Sequence, residues 1–297
     1  MTDSEVWIMD RKTEEEYIDF MQTQLSEMAK TVRKKSQANT KKRENNVFLI
    51  FQDKMAAKYM GVGRSLDSQL GTRLQKIAMF AARRKYGKDS VPNVVTLHDE
   101  GETIKVSMIS YPYKYGMSQK VYYTKQPIKE LLSKDAKALF ESGKITSRDF
   151  SVTSDKKTIA AVKTEIKKHD LNDNGIPIDL FIWKTTADGK HKAYSYEIKA
   201  GGNLDTKNAP SNANEVKRLE KMFSFCDKSK ARFATCYDGK GDGTPDGSIG
   251  HNLDRKQILI GKEFWKEILE PGVSYDDFIK MYKQAYQRAR VEEIIVG

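Results

Sequence analysis

Three residues near the middle of the chain have the types and spacing for hydrolytic chemistry: Asp179, Glu197 and Lys199. Two apolar runs on either side of Ala187-Asp188-Gly189 read as strands joined by a three-residue hairpin loop, with glycine at the left-handed third position. Such a loop pairs Thr186 with Lys190 and sets Ile178 opposite Ile198, Leu180 opposite Tyr196 and Ile182 opposite Tyr194. The same register puts Asp179 across from Glu197, with Lys199 two residues further along that face, beside Pro177. A two-residue loop would send the two acids to opposite faces, so apolar matching and carboxylate pairing favour one register.

Carboxylates opposed on a sheet repel unless a cation joins them. Mg²⁺ takes oxygen ligands, often only one or two carboxylates with water and phosphate for the rest, and the Asp179–Glu197 pair suits it. A lysine beside that pair can hold or polarise a water and stabilise charge building on phosphorus. The expected chemistry is metal-assisted phosphodiester hydrolysis. A plain alternative is a salt-bridged sheet edge, although these acids are embedded in apolar strands, where a decorative charge is costly. Two further acid-x-Lys triplets, at Glu165 and Glu215, fall in expected helices, where i and i+2 point apart.

Ile176-Pro177-Ile178-Asp179 followed by Glu197-Ile198-Lys199 resembles the PD-(D/E)xK nuclease motif, with one residue inserted between the proline and the aspartate. The continuation from Ala200 to Ala209 is similar to type II restriction endonucleases, in particular the branch that cuts GG…CC-type palindromes with an unspecified centre. Ile260 to Trp265 resembles a late segment of that branch. Ser68 to Ile77 resembles its upstream helix, which often adds a glutamate to the site; here the matching residue is Gln75, able to hydrogen-bond a metal-bound water. The resemblance implies a Mg²⁺-dependent homodimer that cleaves double-stranded DNA, leaving 5′-phosphate and 3′-hydroxyl ends. Asp179 and Glu197 would bind the metal and Lys199 would serve the hydrolytic water. A repair or junction-resolving nuclease of the same fold, or a non-catalytic basic DNA-binding protein, remains open.

Candidate DNA contacts are Arg64, Arg73, Tyr113 and Lys114, the last two within a tyrosine- and lysine-rich stretch from Tyr111 to Tyr123. Asn203, Asp205, Lys207 and Asn208, after the flexible Gly201-Gly202, could meet phosphates or base edges. Asp170 to Gly175 matches the first half of an EF-hand loop, but Phe181 stands where the bidentate acid belongs, so a turn is the better account. Asp238 to Gly247 reads as a surface loop, and the four histidines show no ligand spacing.

These residues need a scaffold of the α/β (α+β) class: a central mixed sheet flanked by helices, a restriction-endonuclease-like core with helical additions. One extended domain, 1–297, is expected, with a helical region over 1–90, inserted strands and helices over 91–170, a catalytic core over 171–270 and a C-terminal helix over 271–297. Thr13 to Glu16 fits a capping box, and Ile18, Met21, Leu25, Met28 and Val32 form one apolar stripe; with the C-terminal helix it is a candidate dimer interface. Seven Lys/Arg and no acid follow within Lys30 to Arg43. Helices are expected over 46–60, ended by Gly61 and Gly63, and over 65–86, 128–142, 155–169, 212–225, 262–269 and 274–293. Strands are expected over 94–97, 103–109, 177–183, 192–200, 231–237 and 257–260. Asn212 with Glu215 reads as the capping box of helix 212–225.

The composition is compatible with this chemistry. With 52 Lys+Arg against 41 Asp+Glu, the 297-residue chain carries a net +11, which favours a polyanionic partner. Twelve Phe, 14 Tyr and 3 Trp are too many large apolar groups for a disordered chain. No apolar run approaches the ~18 residues of a membrane span. The acidic first ten residues lack a secretory pattern, and Cys226 and Cys236 suggest neither a disulfide framework nor a zinc set, so a cytoplasmic setting with reduced thiols is expected.

Overall fold

The hairpin forms in the expected register. In the computed structural model Leu180 pairs with Tyr196 and Ile182 with Tyr194. Thr186 donates its backbone N–H to the Lys190 carbonyl at 2.9 Å, and Gly189 holds φ = 78° in the left-handed region. The structure describes residues 9–44, 54–124, 126–167, 175–201, 208–245 and 247–296. The turn expected over 170–174, residues 46–53 of the expected second helix, and Asn203, Asp205 and Lys207 lie outside them.

The elements run α1 (Arg11–Glu44), α2 (Lys54–Tyr86), β1 (Val94–Asp99), β2 (Thr103–Ile109), β3 (Gln119–Tyr123), α3 (Lys134–Glu141), β4 (Ser147–Thr153), α4 (Lys156–Lys167), β5 (Ile176–Ile178) and β6 (Leu180–Thr185). They continue as β7 (His191–Lys199), α5 (Ala209–Met222), β8 (Lys228–Thr235), α6 (Gly247–Gly250), β9 (Ile258–Ile260), α7 (Lys262–Ile268), α8 (Tyr275–Arg288) and α9 (Val291–Val296). This is the mixed α/β class, but its strands divide between two sheets, ordered β4-β2-β1-β3-β5 and β6-β7-β8-β9. In the second sheet β7, β8 and β9 are mutually parallel, and α5 connects the first two of them. Among the described residues no helix is long and apolar enough to cross a membrane.

The chain divides into two compact units, 1–77 with 269–297, and 78–268. In the first, α1 starts three residues ahead of the expected capping box, because Asp10 accepts the Thr13 backbone N–H at 2.8 Å. Its stripe of Ile18, Met21, Leu25, Met28 and Val32 is buried, and α1 packs on α8 and α9. That corrects its reading as a dimer interface: the apolar face is already covered within the chain. Gly61 and Gly63 do not end a helix either, since α2 runs through both. Each costs about 1 kcal/mol relative to alanine, which a 33-residue helix absorbs.

In the second unit, one continuous stretch from Ile176 to Thr185 serves both sheets. Ile178 pairs with Gln119 of β3 rather than with Ile198, which corrects the expected register at its far end. Residue 179 makes a bend, and from Leu180 the chain joins β7. Changing sheets strands the backbone groups of Phe181 on the β3 side, and the buried Gln119 side chain takes both. Its Oε1 accepts the Phe181 N–H at 2.7 Å, while Nε2 donates to the carbonyls of Phe181 at 2.9 Å and Pro92 at 2.6 Å. Gln119→Met keeps the volume and leaves these groups unpaired. It is expected to lower stability by about 3 kcal/mol in urea unfolding; a loss below about 1 kcal/mol would show that the amide does not hold the bend.

Candidate functional site

Asp179 occupies the bend itself. Past the Leu180–Tyr196 pair strand β7 has no partner on its β6 side, and the Asp179 carboxylate replaces it, Oδ2 accepting the Ile198 N–H at 2.8 Å. This bond fixes the side chain beside Glu197, the next residue back on β7. Glu197 and Lys199 share a face of the strand, and Lys199 Nζ donates to Glu197 Oε1 at 2.6 Å. The glutamate side chain is 15% exposed and the lysine 34%, so the pair lies at the edge of the core with a route to solvent.

That face is the one covered by α5. Phe181, Trp183, Ala193 and Phe233 join Ala213, Val216, Leu219 and Phe223 in one apolar cluster, which desolvates the bend. Burial first, and then the Glu197 charge, push the Asp179 carboxyl up to about 7. The Ile198 hydrogen bond and Lys199 oppose that rise without cancelling it.

A third carboxylate joins them. Glu215 is held above the ordinary carboxylate range by burial, against the pull of Arg218, with Glu197 raising it further. Glu215 pairs with Arg218 one turn along. The sequence reading missed it by starting the helix at Asn212, which made Glu215 a capping residue. In the structure α5 begins at Ala209 with Pro210 in its first turn, so Asn212 is already helical and Glu215 lies beside the buried stripe. Pro210 was the available signal.

With all three acids ionised, Lys199 and Arg218 leave the cluster one positive charge short, a deficit that a proton on Asp179 or a bound cation makes up. Among the described residues Asp179 Oδ1 and Glu197 Oε2 have no hydrogen-bond donor, and no group of three or more His, Cys, Asp or Glu is gathered closely enough to hold a metal unaided. Two hard oxygens with a local deficit of positive charge fit Mg²⁺, which draws its remaining ligands from water and phosphate. They do not suit a metal that needs a full cage of protein ligands.

Other expected site residues fall elsewhere. Gln75, Arg64 and Arg73 belong to the helical unit, not to the unit that carries the carboxylates. Arg64 is exposed, whereas Arg73 is buried, donating to Glu27 Oε2 at 2.5 Å and to Gln24 Oε1 at 3.3 Å, so its guanidinium already has structural partners. Tyr113 packs on Phe80 and lies under the Arg83 guanidinium, 5.2 Å from its ring centre, and Lys114 beside it is exposed. Arg83 is buried, donating to the carbonyls of Val91 and Tyr111 and to Asn93, so this tyrosine forms part of a structural knot. Asn208 is exposed and precedes α5, its carbonyl accepting the Asn212 N–H. Cys226 and Cys236 are free and buried. No protein-family model matches the chain, and no curated protein matches it in sequence.

The raised Asp179 carboxyl makes stability depend on pH. Between about pH 4, where an unfolded aspartate ionises, and about 7, the folded protein keeps a proton that the unfolded chain has released. Stability of the metal-free protein therefore falls as pH rises through this window. Asp179→Asn keeps an acceptor for the Ile198 N–H and removes the charge. It is expected to flatten that slope and to be more stable than the parent at pH 8 in EDTA, by on the order of 1–2 kcal/mol. Parallel pH profiles of the two proteins in urea unfolding would contradict this assignment.

Proposed function

We propose that the protein is a Mg²⁺-dependent, sequence-specific endodeoxyribonuclease that hydrolyses phosphodiester bonds in double-stranded DNA at a short palindromic site, in the manner of a type II restriction enzyme of the cytoplasm. The observation that carries the reading is the meeting of Asp179, Glu197 and Lys199 at the place where the chain changes sheets. A structural salt bridge would account for Glu197 with Lys199. It gives no reason to bury Asp179 beside two further acids, an arrangement that costs stability until a cation arrives.

In this reading Asp179 and Glu197 would hold the metal. Bound Mg²⁺ supplies Lewis-acid polarisation of the scissile phosphate and an acidified water. Lys199 orients the attacking water and offers positive charge to the oxygens on phosphorus as negative charge grows there. In-line attack breaks the bond to the 3′-oxygen, leaving a 5′-phosphate and a 3′-hydroxyl. Glu215, held by Arg218, keeps the local field negative and draws on the same cations. The +11 excess supplies salt-dependent, sequence-blind attraction to the duplex. A palindromic duplex presents two equivalent strands, so the working form is a two-fold homodimer.

The test is incubation of the protein with a long natural DNA in Mg²⁺ or EDTA, read on a gel. Discrete fragments in Mg²⁺ only are expected. A mobility shift without cutting would instead favour a binding protein, and nicking confined to branched DNA a junction-resolving enzyme. Lys199→Ala, with an unchanged circular dichroism spectrum, is expected to cut about 10³-fold more slowly, a typical loss for a charge-stabilising or proton-handling group. Wild-type cutting by this variant would overturn the assignment. Mg²⁺ is also expected to raise the melting temperature of the parent and not that of Asp179→Asn, since only a ligand of the folded state stabilises it.

A further inference from the structure

One strand away from the carboxylates, on the same face of the second sheet, lies a cleft of about 200 Å³. Parallel pairing sets Glu197 beside Phe233 and Lys199 beside Thr235, and both β8 residues line it. Ile249, Ile258 and Ile260 complete a buried apolar floor. Tyr237, 50% exposed, stands at the mouth. Its ring lies so close to the Gly201 backbone that a methyl group at Gly201 would collide with it. Gly201 follows Lys199 by two residues, so this aromatic joins the chain just past the end of β7 to the cleft.

Most polar groups of the rim are engaged within its own loop. Both Asp238 oxygens are taken by loop N–H groups, Oδ1 by Lys240 and Gly241 and Oδ2 by Gly243. Lys240 Nζ donates to the Pro245 carbonyl at 3.2 Å, Thr244 to Asp242, and the Thr235 hydroxyl to the Tyr237 carbonyl. The donors left over at this rim are the remaining Lys240 Nζ protons and the Tyr237 hydroxyl, while the floor offers none. A flat apolar ring would find buried aliphatic walls and an aromatic face.

We propose that this cleft receives a nucleobase of the substrate strand, one unstacked next to the scissile phosphate, with Tyr237 as its stacking platform. The inference rests on the nuclease reading for the identity of the ring, since the flat aromatic groups closest to a scissile DNA phosphate are its bases. Enzymes that act at a single nucleotide accept the cost of unstacking where a pocket can hold the base. Stacking tolerates any base, so the pocket fits a position where the recognised sequence is unspecified.

The experiment uses the full chain in EDTA, with the four deoxynucleosides as probes and saturation-transfer NMR as readout. Saturable binding to the parent is expected, about tenfold weaker in Tyr237→Ala and lost in Thr244→Trp, whose bulk closes the mouth from an exposed loop position. Asp179→Asn should bind like the parent, because the carboxylates do not touch the ring. Gly201→Ala should act like Tyr237→Ala and add nothing when combined with it. A parent that binds no deoxynucleoside saturably, or equal binding by the parent and Tyr237→Ala, overturns the proposal. The two readings fail separately: a protein that binds nucleosides in this cleft yet cuts no DNA loses the nuclease reading. One that cuts DNA with Tyr237→Ala and Thr244→Trp both indistinguishable from the parent loses the pocket.

Discussion

A chain that leaves one sheet for another must satisfy the backbone groups stranded at the crossing, and the candidate site of this protein is built from that requirement. Between Ile178, paired in the first sheet, and Leu180, paired in the second, only residue 179 belongs to neither ladder. A buried N–H without a partner costs about 1–3 kcal/mol, so the bend holds only where side chains replace the missing strand. Gln119 does this for Phe181 and Asp179 does it for Ile198. The carboxylate is thus structural through one oxygen and available through the other. It cannot swing away from Glu197 without releasing an amide.

This explains how a costly charge arrangement persists. Glu197, Asp179 and Glu215 approach each other because each is held by a different element: β7, the bend and α5. The cluster of Phe181, Phe223 and Val216 withholds water. Lys199 and Arg218 each neutralise one neighbour. The residual negative charge is local, set in a chain whose excess is positive, so long-range attraction for a polyanion and short-range affinity for a cation occupy different places.

The sequence made the hairpin legible because its constraints were local. A three-residue loop with glycine third, apolar residues alternating on both sides and two acids in matching positions all demanded one register, and Leu180–Tyr196 and Ile182–Tyr194 obey it. The far end failed for a non-local reason: Ile178 chose Gln119, 59 positions earlier in a strand whose side chain completes the crossing, and nothing near Ile178 announces that. Strand β4 also went unread, since as an edge strand it buries little more than Val152 and shows no apolar alternation. Arg73 resembled a DNA contact because a guanidinium bonded to Glu27 from 46 residues away has the same sequence signature as a free one. Glu215 was hidden by a three-residue error at a helix start, which changed its reading from site residue to cap.

Everything that the proposed chemistry uses, from Gln119 through Asp179, Glu197, Lys199 and Glu215 to Tyr237, lies within residues 78–268. Its spacing along the chain is wide, yet its geometry is short-range, because neighbouring strands and one helix carry all of it. The two residues with the tightest steric coupling, Gly201 and Tyr237, lie just past the ends of the parallel strands β7 and β8. A side chain at 201 would meet that ring, and the exposed tyrosine would have to turn aside to admit it. The chain just past the end of β7 thereby meets an exposed ring that lines the apolar cleft. The candidate site and the cleft thus share neighbouring strand ends, with Tyr237 lining the cleft and touching Gly201.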